Sequence, residues 1–215
     1  ERRFRYALNT FRGRWAKELV VLVESKWRLG DEIMAIPVYR GLMERLKSSG
    51  RDVHVAAWCN YAELLERNPF VDSVNKADVE PHVYIKLRGV PRDLNRGEYY
   101  RRHFNLGATL SHPRLYFEDW ETTLWNEVST VGGSVIALCR GASWVTKRWP
   151  EESWLALGRA LEEKGCRVIV LGQKGEGIDV GTDFSGRTGV REAACLLHQA
   201  DLTISSDSGL MHLSL

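Results

Sequence analysis

The densest chemistry lies close to the C-terminal end, where Asp207-Ser208-Gly209-Leu210-Met211-His212 follows the apolar run 202–205. A strand that ends in small polar residues and opens a helix leaves backbone N–H groups pointing outward, and the helix dipole adds partial positive charge. Ser208 and Gly209 then offer N–H groups to an anion, while Asp207 reads as the helix cap. His212 falls one turn further on, either as a core histidine or as a group beside a departing anion. The chemistry is that of phosphate binding.

Three more stretches sit where strands give way to loops. Gly141-Ala142-Ser143-Trp144-Val145-Thr146-Lys147-Arg148-Trp149-Pro150 joins small residues and hydroxyls to paired cations. Small residues let backbone approach a phosphate, and Lys147 and Arg148 bring charge, so phosphate binding is favoured over a merely solvated basic loop. In Gly172-Gln173-Lys174-Gly175-Glu176-Gly177, Glu176 either accepts hydrogen bonds from a ribose diol or belongs to a flexible turn. Leu29-Gly30-Asp31 opens a helix, with Asp31 either taking a proton from a hydroxyl or capping the helix. No set of carboxylates, histidines and cysteines has metal-ligand spacing, so no metal is expected. Residues 24–31 contain one glycine, Gly30, which weighs against the Gly-x-Gly-x-x-Gly loop of a dinucleotide oxidoreductase.

The elements that must position these groups alternate. Strands are expected at 19–23, 53–57, 83–87, 134–138, 167–171 and 202–205, and helices at 31–46, 61–67, 151–164 and 188–199. Pro37 should bend the first of these helices. Such β-α-β alternation predicts parallel sheets with crossover helices. The rhythm breaks over 88–123, where arginines mix with Tyr99, Tyr100, His103 and Phe104. The expected organisation is a basic amphipathic helix within 1–18, one Rossmann-like unit over 19–125 and a second over 126–215. That helix, expected at 4–15 from Phe4, Leu8, Phe11 and Trp15, is either docked on its own domain or laid on an anionic membrane.

The bulk numbers fit this organisation. The chain has 215 residues, 44% hydrophobic and 27% charged, with a formal net charge of +2. That charge is too small to argue for nucleic acid. Four cysteines without a Cys-x-x-Cys pair suit reduced thiols in the cytoplasm. No apolar run reaches the roughly 20 residues of a membrane span, and no signal peptide is recognisable. The chain starts at Glu1 and stops at Leu215, a few residues into a helix too short to stand alone, so a piece of a longer protein with an incomplete second unit is expected.

These motifs, in this order, resemble the bacterial ADP-heptose:lipopolysaccharide heptosyltransferases, glycosyltransferase family 9. The matching stretches are Leu29-Gly30-Asp31 through Pro37, Leu64 through Asn68-Pro69 to Asp72, Gly141-Ala142-Ser143 with Lys147-Arg148-Trp149-Pro150, Phe184 through Thr188, and Asp207-Ser208-Gly209 with His212. The likeness covers about residues 19–87 and 134–215. It implies a GT-B fold of two Rossmann-like domains, with the acceptor on the first and the nucleotide sugar on the second, and inverting, metal-independent transfer without a cofactor. By resemblance Asp31 is the general base. Ser143, Lys147, Ser208, Gly209 and His212 meet the donor diphosphate, and Glu176 meets its ribose. The basic stretch Lys86–His103, with Arg88 and Arg92, is then either a clamp for an anionic glycolipid or glycan acceptor or a solvated loop. The implied donor is ADP-heptose. The implied setting is cytoplasmic, in peripheral contact with the inner membrane, with no nucleic-acid partner.

Phosphate motifs do not read the sugar, so a hexose or N-acetylhexosamine donor belongs to the same class. A non-catalytic GT-B-like module that binds a nucleotide or glycan is the alternative. A membrane or nucleic-acid adaptor rests on residues 2–17 alone.

Overall fold

Strands buried on both faces of a parallel sheet need unbroken apolar runs, and Leu19-Val20-Val21-Leu22-Val23 and Val135-Ile136-Ala137-Leu138 are such runs. The computed structural model describes residues 7–8, 17–48, 50, 52–87, 90, 96–104, 106, 112–117, 119–128 and 130–214. The chain divides into two compact units, Glu1–Tyr116 and Phe117–Leu215. This division falls ahead of the expected 125/126 boundary. The 3-10 segment Asp119–Glu127 sits with the second unit, where Leu124 and Trp125 pack on the core and Val128 is part of it. Arg187 also pairs with Glu127 at 2.6 Å.

The first unit holds β1 (Ala7–Leu8), β2 (Glu18–Ser25), β3 (Asp52–Cys59), β4 (Ser73–Val74) and β5 (Val83–Lys86), in the sheet order β1-β5-β2-β3-β4. Strands β2 to β5 are parallel, with Val21 opposite both Val55 and Val83. Val21, Val23 and Val55 are almost wholly buried on one face, and Leu22 and Ala56 on the other. Strand β1 runs antiparallel to β5, Ala7 opposite Tyr84 and Leu8 opposite Val83. At these two residues the expected N-terminal helix is replaced by strand, since the open edge of β5 has backbone groups to satisfy. Residues 1–6 and 9–16, the rest of that expected helix, lie outside the described residues.

The helix expected over 31–46 is two helices, α1 (Leu29–Ile33) and α2 (Ile36–Lys47), separated by a turn at Met34–Ala35. Pro37 breaks the helix rather than bending it. It has no N–H to donate, and its ring would meet the carbonyl four residues back, at Ile33, where α1 stops. Within α2 the proline falls in the first turn, where its missing N–H is harmless. Helix α2 buries Ile36, Val38, Tyr39, Leu42 and Met43 against the sheet. Within the irregular basic stretch, α3 (Arg96–His103) buries Tyr100, with Phe104 following it.

The second unit holds β6 (Val135–Cys139), β7 (Arg167–Val170), β8 (Thr182–Asp183) and β9 (Leu202–Ser205), all parallel, in the order β8-β7-β6-β9. Alternation along β6 builds two cores. Val135, Ala137 and Cys139 pack with Phe184, Leu196 and Leu197, which brings in helix α5 (Val190–Gln199). Ile136 and Leu138 pack with Trp154 of α4 (Glu151–Glu163) and with Val168 and Val170. A last short helix, α6 (Gly209–Leu213), follows β9. Among the described residues no helix is long and apolar enough to cross a membrane.

Candidate functional site

In a parallel sheet every strand delivers its following loop to the same edge. The second unit therefore brings together residues 140–150 after β6, 171–177 after β7, 184–188 after β8 and 206–208 after β9. Lys147 ends a 3-10 turn, Val145–Lys147. Its Nζ lies 2.6 Å from Asp207 Oδ2. Both side chains are substantially exposed, so the pair adds little stability; its consequence is to hold a cation over the start of α6.

Asp207 does not cap α6, because its carboxylate is engaged by Lys147. The N-cap is Ser208, in extended backbone at φ −147° and without a side-chain capping bond. Ser208 Oγ and His212 Nδ1 are buried atoms with no hydrogen-bond partner among the described residues. Buried polar atoms normally find partners, since leaving one unpaired costs about 1–3 kcal/mol. Gly209 starts α6, where backbone N–H groups have no partner within the helix. Two unpartnered polar atoms, helix-start amides and one ion-paired cation thus belong to, or contact, the single stretch Asp207–His212. Ser143 is exposed on the loop that carries Lys147, beside buried Ala142.

Glu176 lies on the neighbouring loop. Its Oε2 accepts from Gln173 N at 2.7 Å, and its own N–H donates to Gln173 O at 3.0 Å. The carboxylate presses on glycine backbone. A Cβ on Gly141 would come within 2.1 Å of Glu176 Oε2, and one on Gly172 within 2.9 Å. A side chain at Gly141 would push the Glu176 carboxylate aside, and one at Gly172 would also crowd its Cβ, so glycine at both positions leaves room for the carboxylate where it lies. Ser185 Oγ, another buried atom with no partner among the described residues, lies 3.5 Å from where a Cβ on Gly172 would be.

The first unit carries Asp31, half-buried in the first turn of α1. It does not cap that helix, whose N-cap position is Arg28. Its neighbour Glu32 is 3% exposed and accepts three backbone N–H bonds, from Trp27 at 2.9 Å, Asn60 at 2.9 Å and Tyr61 at 3.0 Å. Burial raises the Glu32 carboxyl above its ordinary range, against the pull of those three donors. Glu32 thereby ties the loop after β2 to the loop after β3 and fixes the turn that presents Asp31.

Arg88 and Arg92 lie outside the described residues. Two other arginines of that stretch are engaged on α3 itself, Arg101 and Arg102 meeting Glu98 at 2.6 and 2.5 Å. Glu32, Arg140 and Ser185 escaped the sequence reading. A charged residue at the end of an apolar strand, as Arg140 is, was the one signal available for the second.

Two Rossmann-like α/β units, the second with its loops gathered at the carboxyl edge of a parallel sheet, define a GT-B type protein. The chain belongs to glycosyltransferase family 9 (heptosyltransferase), whose family model matches residues 98–215, more than half of its length. It is 30% identical over 101 residues to lipooligosaccharide heptosyltransferase 2 of Haemophilus ducreyi (strain 35000HP / ATCC 700724), a match covering 40% of this chain and 29% of that protein's length. Its fold is similar to E. coli ADP-heptose lps heptosyltransferase II, with TM-score 0.69, 18% identity, and 91% of this chain covering 81% of that one. It is also similar to a family 9 glycosyl transferase from Veillonella parvula DSM 2008, with TM-score 0.72, 15% identity, and 91% of this chain covering 77% of that one. An E. coli heptosyltransferase solved with ADP-2-deoxy-2-fluoro heptose aligns with TM-score 0.62 at 14% identity, 91% of this chain covering 85% of that one.

Proposed function

We propose that the protein to which this chain belongs transfers a heptose, or a related sugar, from a nucleotide diphosphate donor to a lipopolysaccharide-type or other surface glycan acceptor. ADP-heptose is the first donor to test, since a relative of the same fold was solved with an ADP-heptose analogue. The observation that carries this reading is Lys147 held 2.6 Å from Asp207 over the start of α6, where Ser208 Oγ and His212 Nδ1 are buried and unpartnered.

The chemistry follows from those groups. The acceptor oxygen attacks C1 of the sugar as the bond from C1 to the diphosphate oxygen breaks. The electron pair of that bond leaves on the diphosphate, and the acceptor proton passes to Asp31. Attack opposite the departing group inverts C1. Negative charge grows on the diphosphate, and Lys147 with the N–H groups at Ser208 and Gly209 opposes it, with Ser143 and His212 alongside. That fixed positive charge supports transfer without a metal or other cofactor. Glu176 receives the ribose hydroxyls in this reading, while Arg88 and Arg92 are assigned to an anionic acceptor. The setting is the cytoplasm, peripheral to the inner membrane.

Calorimetric titration of the full-length protein with ADP, UDP and GDP, then ADP-heptose, each with and without EDTA, tests the reading. The expected result is ADP binding that survives EDTA and weakens in Lys147→Ala. Preference for UDP or GDP would keep the transferase class and remove ADP-heptose as donor. No nucleotide binding would leave a non-catalytic module.

A further inference from the structure

Arg140 is the last residue before Gly141, where β6 opens into the Lys147 loop. Its guanidinium gathers three successive carbonyls of the next loop. Nε donates to Glu176 O at 2.6 Å, and one terminal nitrogen donates to Gly175 O at 3.1 Å and Gly177 O at 3.3 Å. Gly175 holds φ +88°, a left-handed turn that suits glycine and helps bring its carbonyl round beside the next two. Arg140 is itself anchored: its side chain is 19% exposed and meets Glu151 at 3.0 Å, while its carbonyl accepts from Ser206 Oγ at 3.1 Å.

Three carbonyl dipoles converging beside a carboxylate would repel it. The guanidinium cancels that repulsion and holds the Glu176 carbonyl, so the Glu176 side chain emerges from a fixed point against Gly141 and Gly172. A planar fork with several donors reaches three acceptors at once, whereas a lysine ammonium is a single point charge on a flexible stem.

We infer that Arg140 is a positioning residue for Glu176, and that through it Arg140 sets the preference of the nucleotide site for a ribose bearing both hydroxyls. This rests on the proposed role of Glu176 as the ribose ligand. A purely structural role for Arg140 would weaken every nucleotide alike. A positioning role weakens only those carrying the hydroxyls that Glu176 meets.

The test is calorimetry on the full-length protein with ADP, 2′-deoxy-ADP, 3′-deoxy-ADP and inorganic pyrophosphate, comparing the unaltered protein with Arg140→Met, Arg140→Lys and Glu176→Gln, with a melting curve for each. The unaltered protein should favour ADP over at least one deoxy analogue by about tenfold or more, the size of a hydrogen bond to a charged group. Arg140→Met and Glu176→Gln should bring that ratio towards one while pyrophosphate binding holds. Arg140→Lys, which keeps the charge and the reach to Glu151, should fall between and serves as the measurement if the methionine variant does not fold. An intact ratio in folded Arg140→Lys or Arg140→Met, or an equal loss for all four ligands, overturns the inference alone. A ratio of one in the unaltered protein overturns it together with the role of Glu176. No binding of any nucleotide overturns the proposed function itself.

Discussion

The carboxyl edges of the two sheets are held by clamps of opposite sign. In the first unit the buried carboxylate of Glu32 gathers three backbone N–H groups, at Trp27, Asn60 and Tyr61. In the second the guanidinium of Arg140 gathers three backbone carbonyls, at Gly175, Glu176 and Gly177. An anionic clamp consumes donors, here the N–H groups of Trp27, Asn60 and Tyr61. A cationic clamp consumes acceptors, which removes carbonyls that would repel an anion and leaves the amides at the start of α6 unopposed. Each unit thus satisfies internally the backbone groups of one of its loops with a single charged side chain.

The largest break in this comparison should come from Asp31. If the first edge exists to present a base, Asp31→Asn removes the proton acceptor and little else. Sugar transfer should fall by about 10²–10⁴-fold, the usual contribution of a positioned base. Calorimetric affinity for ADP should stay where it was, since the groups proposed to hold the donor belong to the other unit. Loss of ADP binding together with turnover would show that the two edges do not divide the work in this way.

Removing the anionic clamp comes next. Glu32→Ala leaves three N–H groups without their acceptor, and stability should drop by about 3 kcal/mol in urea unfolding. Glu32→Gln keeps one acceptor oxygen and should cost less. The two also differ in pH response. Burial raises the Glu32 carboxyl in the folded state above its ordinary 4.5, so folding binds that proton more tightly. The stability this protonation contributes is full below 4.5 and declines as the pH rises through the folded value. Glu32→Gln cannot titrate, so the unaltered protein should lose ground to it across that window.

The second edge is tested more gently by Lys147→Ala. The side chain is exposed and already paired with Asp207, so melting should scarcely change. ADP affinity should fall by about tenfold to a hundredfold, as for loss of a charge-assisted bond. The loss should shrink as salt is raised. A stability change larger than the affinity change would make the ion pair structural.

How legible all this was in the sequence follows the range of the interactions. Strands β6 and β9 and helix α4 stand out because continuous apolar runs and 3.6-residue spacing are local signals. The cluster proposed to bind the diphosphate is local in the same way, being small residues, a cation and a helix start within a few positions of one another or joined by one ion pair. Strands β1 and β8, two residues each, carry no periodicity to detect. The break at Met34–Ala35 came from Pro37 acting on Ile33, a local rule whose strength was underestimated as a bend. Both clamps were missed because all but one of the backbone groups that Glu32 and Arg140 bond to lie 28 to 37 positions away, and nothing near either one says which backbone it will meet. The exchange of Ser208 for Asp207 as the cap of α6 has the same origin, a long-range partner at Lys147.

The smallest expected effect sharpens the point that burial, and not the number of bonds, gives a clamp its strength. Glu98 on α3 gathers two side-chain partners, Arg101 and Arg102, much as Glu32 gathers three amides, but it does so in solvent. The hydrogen bonds from Arg101 and then Arg102 hold its carboxyl low, at about 2. A lowered carboxyl contributes stability above its ordinary 4.5, and that contribution disappears as the pH falls through about 2. Glu98→Gln should therefore shift the urea midpoint slightly downward at neutral pH, far less than Glu32→Ala does. The gap to the unaltered protein should close as the pH approaches about 2 and narrow in high salt. A Glu98→Gln effect that matched Glu32→Ala at neutral pH would mean that an exposed carboxylate can do what the buried one does, and the contrast between surface and buried clamps would fail.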